Sequence, residues 1–172
     1  MWSLNEVAGM VQKAARGAGL PTGQAEDLGR VAAYLAGTGG RIAPVTAALQ
    51  EPICKVDVTW TDSGVHINQG PAALIGPIAR DAFAMGHTTA VLADVSHAPL
   101  VAAFLAENGI ALKWDKKRVS PSDTTVLKAT CKPVHIPPAD WAIWAELAAK
   151  TYVPETEASR LAGAGAGLTD ND

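Results

Sequence analysis

The stretch from Lys13 to Arg30 constrains this chain more than any other. Lys13-Ala14-Ala15-Arg16-Gly17-Ala18-Gly19 reads as the end of one helix, Leu20-Pro21-Thr22-Gly23 as a tight turn, and Gln24 to Arg30 as the start of the next. Glycine enters the left-handed cap conformation without steric cost, so Gly17 or Gly19 is the natural stop. Upstream, Ser3 with Glu6 three residues on is a capping box, each side chain satisfying the other's free backbone N–H. Leu4, Val7, Ala8, Val11, Ala14 and Ala15 keep a helical spacing on one face. Thr22 is the expected cap of the second helix, whose stripe is Ala25, Leu28, Val31, Ala32 and Leu35. The start of the chain is therefore a helical hairpin, and the remainder is expected to fold against it.

Gly37-Thr38-Gly39-Gly40-Arg41 breaks the second helix, and a short third helix is predicted from Ala43 to Gln50. Cys54 to Thr61 alternates with a period of two, as a half-buried strand does. Asp62-Ser63-Gly64 is turn chemistry, and Val65 to Asn68 returns as a second strand. Pro77 is read as opening a helix that runs through Phe83 and stops at Gly86, because proline suits a first turn. Thr88 to Val95 is a continuous apolar run, the mark of a strand covered on both faces. Pro99 starts a helix ended by Asn108-Gly109, and Ile110 to Trp114 forms the next strand. This order implies a crossover with parallel strands. Thr124 to Lys132 reads as the last strand, and Ala139 to Lys150 as a helix with Trp141, Trp144, Leu147 and Ala148 inward.

The reading is one α/β domain over residues 1–152, with α+β as the alternative: the hairpin packs beside a mixed sheet of about five strands with helices on its faces. Residues 153–172 form a Gly-rich, acidic tail, read as a mobile terminus or an oligomer arm. Its Gly163 to Gly167 run lacks the strand–loop–helix setting of a dinucleotide loop, and Glu155, Glu157, Asp170 and Asp172 read as solvated charges rather than cation ligands.

Charged residues make up only 18% of the chain against 48% hydrophobic, a surface poor enough in charge to expect a homo-oligomer, with a dimer favoured. A net charge of -3 argues against nucleic acid, since Lys116, Lys117 and Arg118 are diluted by Asp115 and read as a solvated loop between strands. No apolar run approaches the roughly 20 residues of a membrane span, and Met1 to Glu6 carries no signal-type segment. Cys54 and Cys131 make no zinc-like pair and are expected to pack inside strands. A cytoplasmic protein without a metal site fits these features.

Asp94-Val95-Ser96-His97 is the leading chemical candidate. It follows the most buried-looking strand and precedes a proline-started helix, where α/β sheets collect ligands and helix ends present free N–H groups. His97 with Asp94 would supply acid–base chemistry, and Ser96 would contact a ligand. The plain alternative makes Asp94 and Ser96 turn caps and His97 a packing residue. Arg16 and Arg41 flank glycine turns, a setting for clamping a carboxylate or phosphate, although either could simply pair with Glu26 or Asp27. His66, His87 and His135 share no ligand spacing and read as structural. A small anionic metabolite is the expected ligand, and the cofactor, if any, stays open. A non-catalytic accessory subunit is the alternative.

Two resemblances follow from these residues. Ser3 to Glu6, Lys13 to Gly19, Thr151 to Pro154, Ser159-Arg160, the glycine run and Asp170-Asn171-Asp172 resemble an uncharacterised bacterial family, a DUF3726-like domain of unknown function; the resemblance covers nearly the whole chain and implies no activity. Gly70-Pro71, Ala79, Gly86, Val91, Ser96-His97 and Gly109 are similar to the malate/L-lactate dehydrogenase family unrelated to Rossmann enzymes. There Ser96 and His97 would match a segment following a strand. That family's Ser-His-Gly catalytic segment and its nicotinamide loop have no counterpart here, so the resemblance implies a degenerate relative in which hydride transfer is lost.

Overall fold

The computed structural model describes residues 1–152. The predicted arm at 153–172, with its Gly163 to Gly167 run and acidic end, lies outside the described residues.

Helix α1 (Leu4–Gly17) begins on the predicted capping box. The Glu6 N–H donates to Ser3 Oγ at 3.2 Å and the Ser3 N–H donates to Glu6 Oε2 at 2.8 Å. That backbone hydrogen bond, followed by the one from the Ser3 hydroxyl, holds the Glu6 carboxyl below its usual 4.5. Val7, Val11, Ala14 and Ala15 are buried, as their spacing requires. Gly17 ends the helix against α6 (Pro138–Ala149), where a Cβ would stand 1.8 Å from the Leu147 carbonyl oxygen. Gly19, at φ +97°, makes the turn. Helix α2 (Thr22–Gly37) takes Pro21 as its N-cap, not Thr22. The extended Pro21 already offers its carbonyl to the Ala25 N–H at 2.9 Å, so Thr22 becomes the first helical residue and caps nothing.

The five strands are β1 (Asp57–Thr61), β2 (Gly64–Gly70), β3 (Thr89–Val95), β4 (Ala111–Asp115) and β5 (Arg118–Ser122), in the order β1-β2-β3-β5-β4. β2 and β3 are parallel and joined by α4 (Ala72–Ala84), whereas the sequence pattern implies the crossover through the next helix; the other neighbouring pairs are antiparallel. Helix α5 (Ala98–Glu107) leads from β3 to β4, and β5 fills the gap between those two. Helices α4 and α5 pack on each other and on one face of the sheet, α1 and α2 lie behind them, and α6 packs on α1. A mixed α/β fold with five strands is what the pattern implies.

Further local expectations are corrected. β1 starts at Asp57, and Cys54 stands exposed ahead of it; Cys131 is exposed as well. β3 buries Ala90 and Leu92 on one face only, while Val91 and Ala93 are half-buried and Asp94 is exposed, so the strand is not covered on both faces. Helix α4 begins at Ala72 and Pro77 lies inside it, because Gly70-Pro71 provides the start instead. Its neighbour Gly76 meets α5 so closely that a Cβ would lie 2.2 Å from the Phe104 ring.

The fifth strand is Arg118–Ser122, and Thr124–Lys132 forms no strand at all. Asp115 pairs with Arg118 across a two-residue turn in which Lys116 takes φ +54°, so Lys116 and Lys117 lie in a tight loop between strands, and the strand that follows begins at Arg118 itself. Residues 127–130 run across α2 instead: the Tyr34 hydroxyl donates to the Leu127 carbonyl at 3.0 Å and the Thr130 N–H to the Gly37 carbonyl at 3.0 Å.

Candidate functional site

β3 delivers Asp94-Val95-Ser96-His97 to the amino end of α5, as the sequence implies. His97 is the N-cap residue, held at φ +54°, ψ +46°, and its side chain caps no backbone group. A non-glycine residue in this left-handed region is uncommon and costs on the order of 1–2 kcal/mol. The His97 carbonyl accepts the Leu100 N–H at 2.7 Å, which ties the strained residue to the first turn of α5.

The turn sends its side chains into two separate clefts. His97 lines one of about 440 Å³ together with Leu35 of α2, Arg41, Pro99, Leu100, and Ala43, Pro44 and Ala47 of α3 (Ala43–Gln50). Asp94 and Ser96 line another of about 280 Å³ with Glu51, Cys54, Gln69 and Gly70. Arg41 and His97 therefore come together, whereas Asp94 and Ser96 do not join them. Arg16 joins neither: it sits at the opposite end of the hairpin, and α2 with its 16 residues spans about 24 Å.

Neither Arg16 nor Arg41 takes up Glu26 or Asp27. Arg30 pairs with Glu26 at 3.3 Å and with Asp27, and lies 3.7 Å from Glu107; Arg80 pairs with Asp27 at 3.1 Å and Asp81 at 2.9 Å. Burial works against the Arg80 charge, but the Asp81 hydrogen bond and the Asp27 charge outweigh it and raise its pKa. Arg41 has no ion pair among the described residues.

Glu51, the residue after α3, escaped sequence reasoning. Its Oε1 accepts the Ser96 hydroxyl at 2.5 Å, and its Oε2 is buried without a hydrogen-bond partner among the described residues. This carboxylate anchors the turn from below and so helps hold the backbone of His97. No local pattern pairs Glu51 with Ser96, because the contact joins residues 45 apart.

A larger cleft of about 510 Å³ lies between α1, α2, α5 and residues 126–129. The Arg30 on its wall is already neutralised by three carboxylates, which leaves less to recognise an anion. The smaller cleft has apolar walls, one permanent cation and one imidazole, and no carboxylate on its lining. Among the described residues no cluster of three or more His, Cys, Asp or Glu is placed to hold a metal ion, and no helix is long and apolar enough to cross a membrane.

Residues 2–72 match the family model described as a protein of unknown function (DUF3726). Over this segment the chain is DUF3726-like. No curated protein and no solved structure matches the chain. The resemblance to malate/L-lactate dehydrogenases is unsupported by these comparisons. The DUF3726-like segment ends at the first residue of α4. It thus supplies Leu35, Arg41, Ala43, Pro44 and Ala47, and the chain beyond it supplies His97, Pro99 and Leu100. The cleft straddles that boundary.

Proposed function

We propose that this chain binds a small anionic metabolite in the cleft between α2, α3 and α5. Arg41 is the charge partner, and His97 is a hydrogen-bond donor that also carries a proton when the ligand's chemistry calls for one. The observation supporting this reading is the meeting of Arg41 and His97 on one apolar-walled cleft of about 440 Å³, within the range of roughly 300–1,000 Å³ that small-molecule sites occupy. Leu35, Pro44 and Leu100 suit an apolar ligand body, and a guanidinium suits a carboxylate at its end. Asp94 and Ser96 act from the neighbouring cleft as turn residues, and Arg16 has no part.

A panel of 2-keto, 2-hydroxy and short-chain carboxylates, with inorganic phosphate and nicotinamide cofactors as comparators, tests the reading by thermal shift and titration calorimetry on the full chain. A carboxylate is expected to raise the melting temperature, with binding lost in Arg41→Ala and weakened in His97→Asn. Binding that survives both substitutions, or no response to any carboxylate, would remove the site. A second reading, an accessory subunit working through assembly, is supported by Trp60 standing 50% exposed on an edge strand.

A further inference from the structure

We infer that β1 is a strand-addition edge that pairs with β1 of a second copy of this chain, antiparallel about a two-fold axis through Thr59. The sheet has two edges, β1 and β4. An unpaired edge is a template for another chain unless something guards it, and lysine is a common guard. β4 carries Lys113 at its centre, so full-length antiparallel self-pairing would set that charge against its own copy. β1, Asp57-Val58-Thr59-Trp60-Thr61, carries no charge at its centre.

Antiparallel addition opposes residues of like backbone orientation, outward to outward and inward to inward, so paired residue numbers must sum to an even value. Of those registers, the one that centres Thr59 on Thr59 pairs all five residues. It sets Val58 of one copy opposite Trp60 of the other, twice, and Asp57 opposite Thr61, with no like charges facing. Aromatic and β-branched residues make favourable cross-strand pairs.

Packing points to the same occupant. Helix α4 covers β2 and β3, and α5 covers β4. Val58 and Trp60 share the helix-facing side, yet Val58 is half-buried and Trp60 is 50% exposed, with the ring of His87 tilted 5.6 Å away. The Val58–Trp60 pairs of a two-fold dimer would close that side over itself. Because β1 pairs with β1, the assembly is isologous and stops at two copies, whereas β1 on β4 would build a ring or a filament.

Sedimentation of the full chain from about 1 µM to about 1 mM should give a monomer–dimer equilibrium. Thr59→Lys places like charges on the axis and should weaken the dimer roughly tenfold or more, while Lys113→Glu leaves it unchanged. In a Cys54→Ser, Cys131→Ser background, Thr59→Cys should give a disulfide-linked dimer on mild oxidation, since Cα atoms opposed in an antiparallel pair lie about 4.5–5.5 Å apart. The linkage is a second readout should Thr59→Lys disturb the fold. A monomer at every concentration, or linkage through Lys113→Cys and not through Thr59→Cys, overturns the inference.

Discussion

His97 combines a backbone cost with a proposed ligand role, and the two are separable by substitution. At φ +54° a glycine carries no Cβ penalty, so His97→Gly removes a strain of about 1–2 kcal/mol while raising the entropy of the unfolded chain by a smaller amount. The unfolding midpoint of His97→Gly is therefore expected to equal or exceed that of the parent, while carboxylate binding is lost. A clear drop in stability would mean that the imidazole packs for structure. Thr46 makes the opposite case. Its buried hydroxyl donates to Asp140 Oδ1 at 2.6 Å and accepts the Trp144 Nε1–H at 2.9 Å. Thr46→Val keeps the shape and strands the indole N–H, an expected cost of about 1–3 kcal/mol in urea unfolding. Gly17→Ala drives a methyl into the backbone of α6, which cannot rotate away as a side chain would; overpacking of this kind costs about 1–3 kcal/mol. None of these contacts could be read from neighbouring residues, because each partner lies on a distant element.

Elements were legible where one stripe and one stop signal agreed. Helix α1 had a capping box, a spaced apolar face and a glycine end, and it forms as read. That cap also predicts a pH response. Glu6 has a lowered pKa in the fold, so its contribution is complete above 4.5 and is lost as pH falls through the lower folded value. Ser3→Ala removes the hydroxyl partner, so its stability is expected to fall less steeply than the parent's on acid titration by circular dichroism. Parallel curves for the two proteins would exclude the Ser3 hydroxyl as the source, since the bond from the Ser3 N–H survives the substitution. Legibility failed where a proline or a charge contradicted the pattern. A proline inside a run weakens a strand pattern, yet β5 meets β3 only through Arg118 and Val119, so the missing N–H of Pro121 interrupts no bond to β3. Pro77 argued for a helix start and is carried inside α4, where burial against α5 outweighs the lost backbone hydrogen bond. The site divides in the same way. β3 placed His97 at a strand end on sequence grounds alone, but which side of the turn faces Arg41 depends on how α3 packs.

At the scale of the molecule, the helical hairpin and the sheet communicate through the α4–α5 layer, and a small charge network crosses that junction. Asp27 of α2 takes Arg80 of α4 and Arg30 of its own helix, and Arg30 approaches Glu107 of α5. Asp27 and Arg80 have side chains only 14% and 20% exposed, so water screens this pair less than a surface bridge. Asp27→Asn leaves Arg80 with Asp81 alone, and that carboxylate is 59% exposed. Removing one partner of a half-buried pair strands the other's charge, and the expected loss is about 1–3 kcal/mol. Because α2, α4 and α5 meet at this point, the loss should be felt by the whole domain. The urea midpoint should shift with an unchanged slope, and far-ultraviolet dichroism and tryptophan fluorescence should still report one transition. Two separated transitions would mean that the hairpin melts apart from the sheet, and that Asp27 is the joint between two independent units. Arg41 and His97 lie on opposite sides of the same junction, on the hairpin side and on α5 respectively. Carboxylate binding should therefore raise the midpoint of Asp27→Asn by as much as that of the parent, because the ligand bridges the layers by itself.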